Sequence, residues 1–251
     1  MYKILANTFF LGKDIIHLTE CHSTNDEALR RLKAKEIAEG SIIITDNQTK
    51  GRGQRGNVWV VEPGKNLTFS IVLRPDYLMP TEQFWLNMVV SLAIWETLSS
   101  YLSGIWVKWP NDLVHDQSGK IGGVLIENLI QNTSIEYSVI GIGLNINQRN
   151  FSLPYACSMA TLAGQEFDKW EIFKLLVKNL ERQYLLLKKG NRLQIKSDYL
   201  QHLFRSSIWA RYDDGEEFEG KILGIEDDGR LRIEKKSGSV HRYAFKELRF
   251  L

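Results

Sequence analysis

The stretch GRGQRG at residues 51–56 matches the pattern G-x-G-x-x-G, a spacing associated with dinucleotide binding. That function requires a strand running directly into the glycines and a helix opening on them, so that a pyrophosphate lies at the helix N-terminus. A strand is predicted at residues 41–45, but polar residues separate it from the glycines. Residues 57–75 are rich in β-branched and aromatic side chains and contain Pro-Gly, which predicts two strands joined by a turn. The sequence therefore argues against a dinucleotide-binding fold and predicts a doubly cationic, glycine-rich loop between strands.

The composition indicates an ordinary globular protein and excludes several function classes. The chain has 251 residues, of which 43% are hydrophobic and 25% charged. A net charge of +2 is too small to indicate nucleic-acid binding, so no nucleic-acid partner is expected. Cys21 and Cys157 lack zinc-type spacing and favour a reduced, cytoplasmic protein over a disulfide. The N-terminus is a poor signal peptide, and the most apolar window, residues 84–98, is too short to cross a bilayer, so no membrane partner is expected.

Hydrophobic periodicity and capping signals predict four helices. The first begins near Thr24 and ends at Gly40, and the second spans residues 81–102. The third runs from Asp168 to the residue before Gly190, and the fourth covers residues 192–204. The spacings of Thr24 to Glu27 and of Asp168 to Glu171 each fit a capping box.

The predicted strands indicate two domains. A first strand is predicted at residues 14–23, and the segments 105–116, 120–130 and 135–147 predict an antiparallel meander. After Phe204 the chain consists of short alternating segments separated by turn signals such as DDG and KSG, which is typical of a small β-barrel. We therefore predict a first domain at residues 1–204 and a second at residues 205–251.

Two polar clusters in the first third of the chain suggest a ligand site. Residues 23–25, Ser-Thr-Asn, offer three consecutive hydrogen-bonding side chains, although a helix cap alone also explains the threonine. In the glycine-rich loop, residues 51–59, the glycines allow close backbone approach, and Arg52 and Arg55 can neutralise phosphates or a carboxylate. A solvated surface loop is the alternative. Trp59 weakens that alternative, because an aromatic beside a cationic loop is a stacking surface.

Two further clusters follow in the predicted meander. KWPND at residues 108–112 places an amide and a carboxylate at a turn fixed by proline, although a plain turn is the alternative. KIGGVLIE at residues 120–127 has glycines inside a predicted strand, which usually mark close approach by a backbone or ligand. In GIGLNIN at residues 141–147, Asn145 and Asn147 alternate with apolar residues and are predicted to share one face of the sheet.

In their order, STN, GRGQRG, KWPND, KIGGVLIE and GIGLNIN resemble the motifs of the biotin protein ligases. The resemblance is strongest over residues 14–147 and extends through the small C-terminal barrel. It implies an α+β fold: a class II aminoacyl-tRNA-synthetase-like catalytic domain, with an antiparallel sheet and flanking helices, followed by an SH3-like barrel.

The resemblance also implies an enzymatic activity. Biotin would be activated by ATP, with Mg²⁺, to biotinyl-5′-AMP and then transferred to a lysine of a biotin carboxyl carrier protein domain of a biotin-dependent carboxylase. The protein would be a monomer or homodimer. Since the first catalytic strand is expected near Asp14, no N-terminal DNA-binding helix-turn-helix is expected, and the ligase-only type is implied.

Carried over by position, the resemblance implies a set of site residues. The implied catalytic residues are Arg52 and Lys120, at the junction of carboxylate and phosphate. The implied biotin-binding residues are Ser23, Thr24, Asn25, Gln48, Arg52, Gly53, Gln54, Lys120, Gly122 and Gly123. The implied ATP- and adenylate-binding residues are Arg52, Arg55, Trp59, Asn111, Asp112 and Asn145. Asp112 supports either the turn or a metal, and the metal ligands are left open. Many family members have arginine at the position of Gln54, so the loop here lacks one cation.

Two alternatives remain. Lipoate ligases and octanoyl transferases share the fold and also act on a carrier lysine, but their arginine-rich, triple-glycine signature is not visible. A non-catalytic nucleotide- or RNA-binding module would use the basic loop and its aromatics, but it does not explain KWPND and Lys120.

Overall fold

The computed structural model describes residues 5–251, except for the side chain of Arg55. The strands of the first part of the chain are β1 (Ile15–Cys21), β2 (Ile42–Gln48), β3 (Leu67–Leu73), β4 (Ile105–Lys108), β5 (Asp112–His115), β6 (Gly119–Gln131) and β7 (Ser134–Leu144). The helices are α1 (Thr24–Lys33), α2 (Phe84–Ser99), α3 (Met159–Ala163), α4 (Lys169–Lys188) and α5 (Arg192–Gln201). The later strands are β8 (Trp209–Asp213), β9 (Glu217–Ile225), β10 (Leu231–Lys235), β11 (Val240–Tyr243) and β12 (Arg249–Phe250).

Strands β1 to β7 form one sheet, called the main sheet below, in the order β1-β2-β3-β7-β6-β5-β4. The expectation of a wholly antiparallel sheet is wrong at one edge, because β1 and β2 are parallel. Helix α1 connects them and returns the chain to the end of the sheet from which β1 started, as a parallel crossover requires. The other pairings are antiparallel, and the predicted meander is present as β4 to β7.

The main sheet is covered on both faces. Strand β3, at its centre, is buried at all seven positions. Phe69 and Ile71 pack on one face in the larger core, to which α2 and α4 contribute, while Val72 packs on the other face against α1 in a smaller core. Burial of both faces accounts for the mostly apolar sequence of this strand, in which Thr68 and Ser70 are buried polar exceptions.

Several element boundaries differ from the predictions. Residues 57–66 form no strand; Val58 makes only an isolated bridge to Arg52. Helix α1 ends at Lys33, because Lys35 takes a left-handed conformation at φ 58°, well before Gly40.

The helix caps also differ in part. The N-cap of α1 is Ser23, and no side chain caps it. The predicted capping box is absent because Glu27 instead pairs with arginines on the next turn of the helix. The Asp168 carboxylate accepts the N–H groups of Trp170 and Glu171 and so caps α4, but only this half of the predicted capping box is formed, because the Glu171 carboxylate pairs with Lys174. The prediction missed α3, which follows a polar loop.

Strands β8 to β12 form a five-stranded antiparallel sheet, called the C-terminal sheet below, in the order β11-β10-β9-β8-β12. It agrees with the SH3-like domain expected after Phe204. Trp109 joins it to the main sheet, because its indole Nε1 donates to the carbonyl of Gly229 at 2.9 Å and its ring packs edge-on against Phe245. Residues 202–204 hydrogen-bond to Val107 and so cover the free edge of β4.

Two expectations about the chemistry of the chain can be checked directly. Cys21, which is partly exposed, and Cys157, which is buried, are both free cysteines. Within residues 5–251, no helix combines the length and the apolar character needed to span a bilayer.

Candidate functional site

The candidate site is a cavity of about 440 Å³ between the main sheet and the C-terminal sheet. Four groups of predicted site residues meet in it: the start of α1, the glycine-rich loop, the turn between β4 and β5, and the glycine-containing parts of β6 and β7. The C-terminal sheet closes the cavity with Phe245, Lys246, Leu248, Arg249 and Phe250. Segments more than 200 residues apart in the chain therefore form one site.

A buried hydrogen-bond network forms one end of the cavity. The backbone N–H and the hydroxyl of Thr24 both donate to Gln48 Oε1, at 2.8 and 3.1 Å. Ser70 Oγ lies 2.8 Å from Thr24 Oγ1 and 2.6 Å from Asn25 Oδ1. Ser23, Thr24 and Asn25 are each at most 4% exposed. This end can therefore present fixed donors and acceptors to a small polar group.

The Asn25 amide continues the network toward the glycine-rich loop. Its two hydrogens point to Glu127 Oε2 at 2.8 Å and to the carbonyl of Leu125 at 3.3 Å. Glu127 Oε2 also accepts from Arg52 Nη2 at 2.8 Å, and the same nitrogen lies 2.6 Å from Asp26 Oδ1. The guanidinium of Arg52 is thus at the cavity but held between two carboxylates.

Lys120 stands at the centre of the cavity wall. Its ammonium lies 2.7 Å from Asp112 Oδ1 and 5.7 Å from the centre of the Trp59 ring. Its backbone is fixed on both sides, because its N–H donates to the carbonyl of Tyr155 and its carbonyl accepts from Cys157. These bonds fix the backbone of Lys120, and the ion pair with Asp112 holds its ammonium at the cavity.

Glycines on β6 and β7 leave the floor of the cavity open. A Cβ atom added at Gly123 would lie 3.2 Å from Lys120 Nζ, and one at Gly143 would lie 2.4 Å from the Trp59 ring. At Gly141, an added Cβ would lie 2.4 Å from Asn25 Oδ1. At these three positions the closely approaching groups are side chains, not the backbone or ligand that the sequence suggested.

Two predicted site residues lie off the cavity. Gly122 faces Leu144, because neighbouring residues of a strand point to opposite faces and it is Gly123 that faces the cavity. Strand β7 ends at Leu144, so the prediction that Asn145 and Asn147 share a face of the sheet is wrong. Asn145 is buried and donates to the carbonyl of Cys157 at 3.0 Å, so it supports the residues next to Lys120 and does not line the cavity.

The remaining predicted residues are placed as follows. Gln48, Arg52, Gly53, Gln54, Trp59, Asn111 and Asp112 line the cavity. Asn111 is 9% exposed, and its amide nitrogen donates to the carbonyl of Val124 at 2.5 Å. The side chain of Arg55 lies outside the described residues.

Sequence reasoning missed several cavity residues. Lys108 lies within KWPND but was not predicted as a site residue. Its ammonium lies 5.1 Å from the centre of the Phe250 ring, and burial lowers its pKa. Ser70 and Glu127 were also missed; they do not line the cavity but bond to residues that do, Ser70 to Thr24 and Glu127 to Arg52. Arg249 and Phe250, on the C-terminal sheet, carried no local signal at all.

Comparisons with known proteins agree with this architecture. The model of the "Biotin/lipoate A/B protein ligase family" matches residues 18–145, and that of the "Biotin protein ligase C terminal domain" matches residues 208–245. The chain is 29% identical over 258 residues to the bifunctional ligase/repressor BirA of Bacillus subtilis, covering 94% of this chain and 74% of that protein. It is 26% identical over 219 residues to the biotin–[acetyl-CoA-carboxylase] ligase of Mycobacterium tuberculosis, covering 84% and 80% of the two chains.

A solved structure shows the same similarity. The biotin protein ligase from Aquifex aeolicus, in complex with biotin and ATP, superposes with a TM-score of 0.78 at 26% sequence identity. The superposition covers 95% of this chain and 100% of that one.

Proposed function

Because the chain belongs to the biotin/lipoate A/B protein ligase family, we propose that it activates biotin with ATP and transfers the biotinyl group to a protein lysine. The acceptor is a biotin-dependent carboxylase, as the names of relatives such as the biotin–[acetyl-CoA-carboxylase] ligases indicate. The observation that carries the proposal is one cavity in which a buried polar end, several cationic side chains, among them Arg52 and Lys120, and a glycine floor adjoin one another.

The reaction has two steps whose charges suit this cavity. In the first, a biotin carboxylate oxygen bonds to the α-phosphorus of ATP, and the bond to the bridging oxygen breaks and releases pyrophosphate. Two anions must approach each other, so cations are needed at both. In the second, the acceptor amine attacks the acyl carbon, AMP leaves, and the amine loses a proton.

We assign the two ends of the cavity to the two halves of the adenylate. The buried network of Thr24, Gln48 and their neighbours suits the uncharged, hydrogen-bonding ring end of biotin. Lys120 lies beyond it, where the carboxylate and the α-phosphate would meet, and Trp59 offers a face for the adenine. Arg52 would add a second cation by exchanging one of its carboxylate partners for the ligand.

Mg²⁺ would be held by few protein groups. The described part of the chain contains no group of three or more His, Cys, Asp or Glu side chains suited to a metal ion. Asp112 lines the cavity and could supply one carboxylate oxygen, which suits Mg²⁺ because this ion takes most of its ligands from substrate phosphates and water. When bound, Mg²⁺ neutralises charge on the phosphates.

Pyrophosphate–ATP exchange tests the proposal. Exchange is expected with biotin and not with lipoate or without an acid. Exchange driven by lipoate alone would show a lipoate ligase, which the family description also covers. No exchange with either acid would favour a nucleotide-binding module without catalysis.

The domain boundary, the oligomeric state and the cellular compartment are part of this proposal. We propose a boundary between the catalytic domain and the SH3-like domain near Phe204. Two family models support it, because the match of the first ends at residue 145 and the match of the second begins at residue 208. A monomer or a homodimer that acts in the cytoplasm is compatible with two free cysteines.

Replacing Gln54 with arginine is expected to slow the loss of the adenylate. Gln54 lines the cavity but is neutral, so it can hydrogen-bond a phosphate without neutralising it. A charge-assisted hydrogen bond is stronger than a neutral one by ~1 kcal/mol, or roughly fivefold in lifetime. Single-turnover release of biotinyl-AMP measures the effect, and formation should change little. Gln131→Arg adds the same charge at the exposed end of β6 and serves as the control; equal release from both variants would contradict the prediction.

A further inference from the structure

The network around Glu127 links the two functional parts of the cavity through one carboxylate. Oε2 of Glu127 accepts a hydrogen bond from Asn25 Nδ2 and another from Arg52 Nη2, both at 2.8 Å. Asn25 belongs to the buried polar end, and Arg52 to the glycine-rich loop. No role was assigned to Glu127 by the motif reasoning.

The Asn25 amide has little freedom of its own. Its Nδ2 hydrogens are directed to Glu127 and to the carbonyl of Leu125, and its Oδ1 lies 2.6 Å from Ser70 Oγ. Asn25 is 2% exposed, so no water replaces a contact that is lost. Rotation of the amide would therefore break its contact with Glu127, and any group packed against Asn25 fixes that contact in place.

The other carboxylate on Arg52 differs in a useful way. Asp26 lies 2.6 Å from Arg52 Nη2 but is not bonded to Asn25, and its side chain is 53% exposed against 28% for Glu127. An exposed ion pair contributes little and is screened by solvent. Asp26 therefore contacts the glycine-rich loop but not the buried polar end, whereas Glu127 contacts both the loop and the polar end.

We infer that Glu127 is a positioning residue that couples filling of the biotin end to ordering of the glycine-rich loop. This inference rests on the proposed function. Biotin packed against Asn25 holds the Asn25–Glu127 contact, and Glu127 in turn holds Arg52 and the loop over the ligand. Coupling of this kind is reciprocal: the factor by which biotin orders the loop equals the factor by which an ordered loop tightens biotin binding.

Hydrogen exchange in the loop measures the coupling. The N–H groups of Gly53 and Trp59 are bonded within the loop, to the carbonyls of Asn57 and Gly51, and so report its opening. In the full native chain, biotin should slow their exchange at least about fivefold. In Glu127→Gln, which keeps size and shape, this ratio should fall close to one, and the biotin dissociation constant should rise by the factor that the ratio loses.

Asp26→Asn is the matched control. It removes the other carboxylate from Arg52, so the loop should exchange faster both with and without biotin while the ratio stays native. A purely structural role for Glu127 would not produce equal changes in exchange ratio and affinity.

The possible results separate the two claims. If calorimetry shows no biotin binding to the native chain, the proposed function fails. If biotin binds but does not slow exchange in the native loop, or if Glu127→Gln retains the native ratio, biotin binding stands and the coupling is refuted. If Asp26→Asn loses the ratio as Glu127→Gln does, the coupling depends on the charge around Arg52 and not on Glu127, and the inference is overturned.

Discussion

Lys120→Ala is expected to slow formation of biotinyl-AMP by on the order of a hundredfold, since removal of one preorganised charge donor costs ~3 kcal/mol of transition-state stabilisation. Lys120 lines the cavity, and its backbone is fixed by hydrogen bonds to Tyr155 and Cys157. Its loss also leaves Asp112 without its partner at 2.7 Å, which adds repulsion toward the phosphates. Rapid-quench measurement of adenylate formation under single-turnover conditions gives the rate.

Two further variants divide this effect into its parts. The double variant Lys120→Ala with Asp112→Asn removes the repulsion, so any recovery over Lys120→Ala reports the unpaired carboxylate alone. Lys50→Ala removes an exposed lysine next to the glycine-rich loop and should leave the rate unchanged. If Lys120→Ala forms adenylate at the native rate with a native fold, Lys120 is not the cation of the first step.

Gly141→Ala is expected to weaken biotin binding by roughly 10- to 100-fold, because overpacking a well-packed site costs ~1–3 kcal/mol. The new Cβ would lie 2.4 Å from Asn25 Oδ1. Asn25 cannot retreat, because Ser70 and Glu127 hold its amide. Calorimetric titration with biotin gives the dissociation constant.

Gly143→Ala provides the matched comparison two residues along the same strand. Its Cβ would lie 2.4 Å from the ring of Trp59, so it should raise the KM for ATP and leave biotin affinity close to native. Equal effects of both variants on both ligands would mean that the two ends of the cavity are not the separate half-sites proposed here.

Local signals in the sequence were enough to predict much of the fold. Asp168 caps its helix, although it forms only half of the predicted capping box, and the apolar window at residues 84–98 lies wholly within the buried helix α2. The parallel pairing of β1 with β2 was missed because the resemblance implied an antiparallel sheet, and a strand-helix-strand order does not by itself show that its two strands are neighbours in one sheet. The motif at residues 141–147 misled for a related reason, since nothing local indicates that β7 stops at Leu144.

The candidate site was predicted in its centre and missed at its rim. Lys120, Asp112 and Trp59 line the cavity, and the roles given to them stay predictions. The contributions of Glu127 and Arg249 come from contacts with distant segments. The Glu127 carboxylate bonds to Arg52, 75 residues away, and the Arg249 guanidinium pairs with Asp213 on the neighbouring strand β8. Chemistry of this kind depends on the assembled fold and has no signature in neighbouring residues.

The position of Phe250 in the cavity wall determines when a newly made molecule becomes competent. During synthesis, the segment carrying Lys120 leaves the ribosome well before the one that carries Phe250. At ordinary elongation rates of about 5–20 residues per second, the 130 residues from Ile121 to Phe250 take on the order of 10 s. Over that interval the half-built cavity lacks one wall, and the apolar surface around Trp109 that later meets Phe245 stays open to water or to chaperones. A nascent chain should therefore be unable to form and protect a reactive mixed anhydride until the strand that carries Phe250 has folded into place.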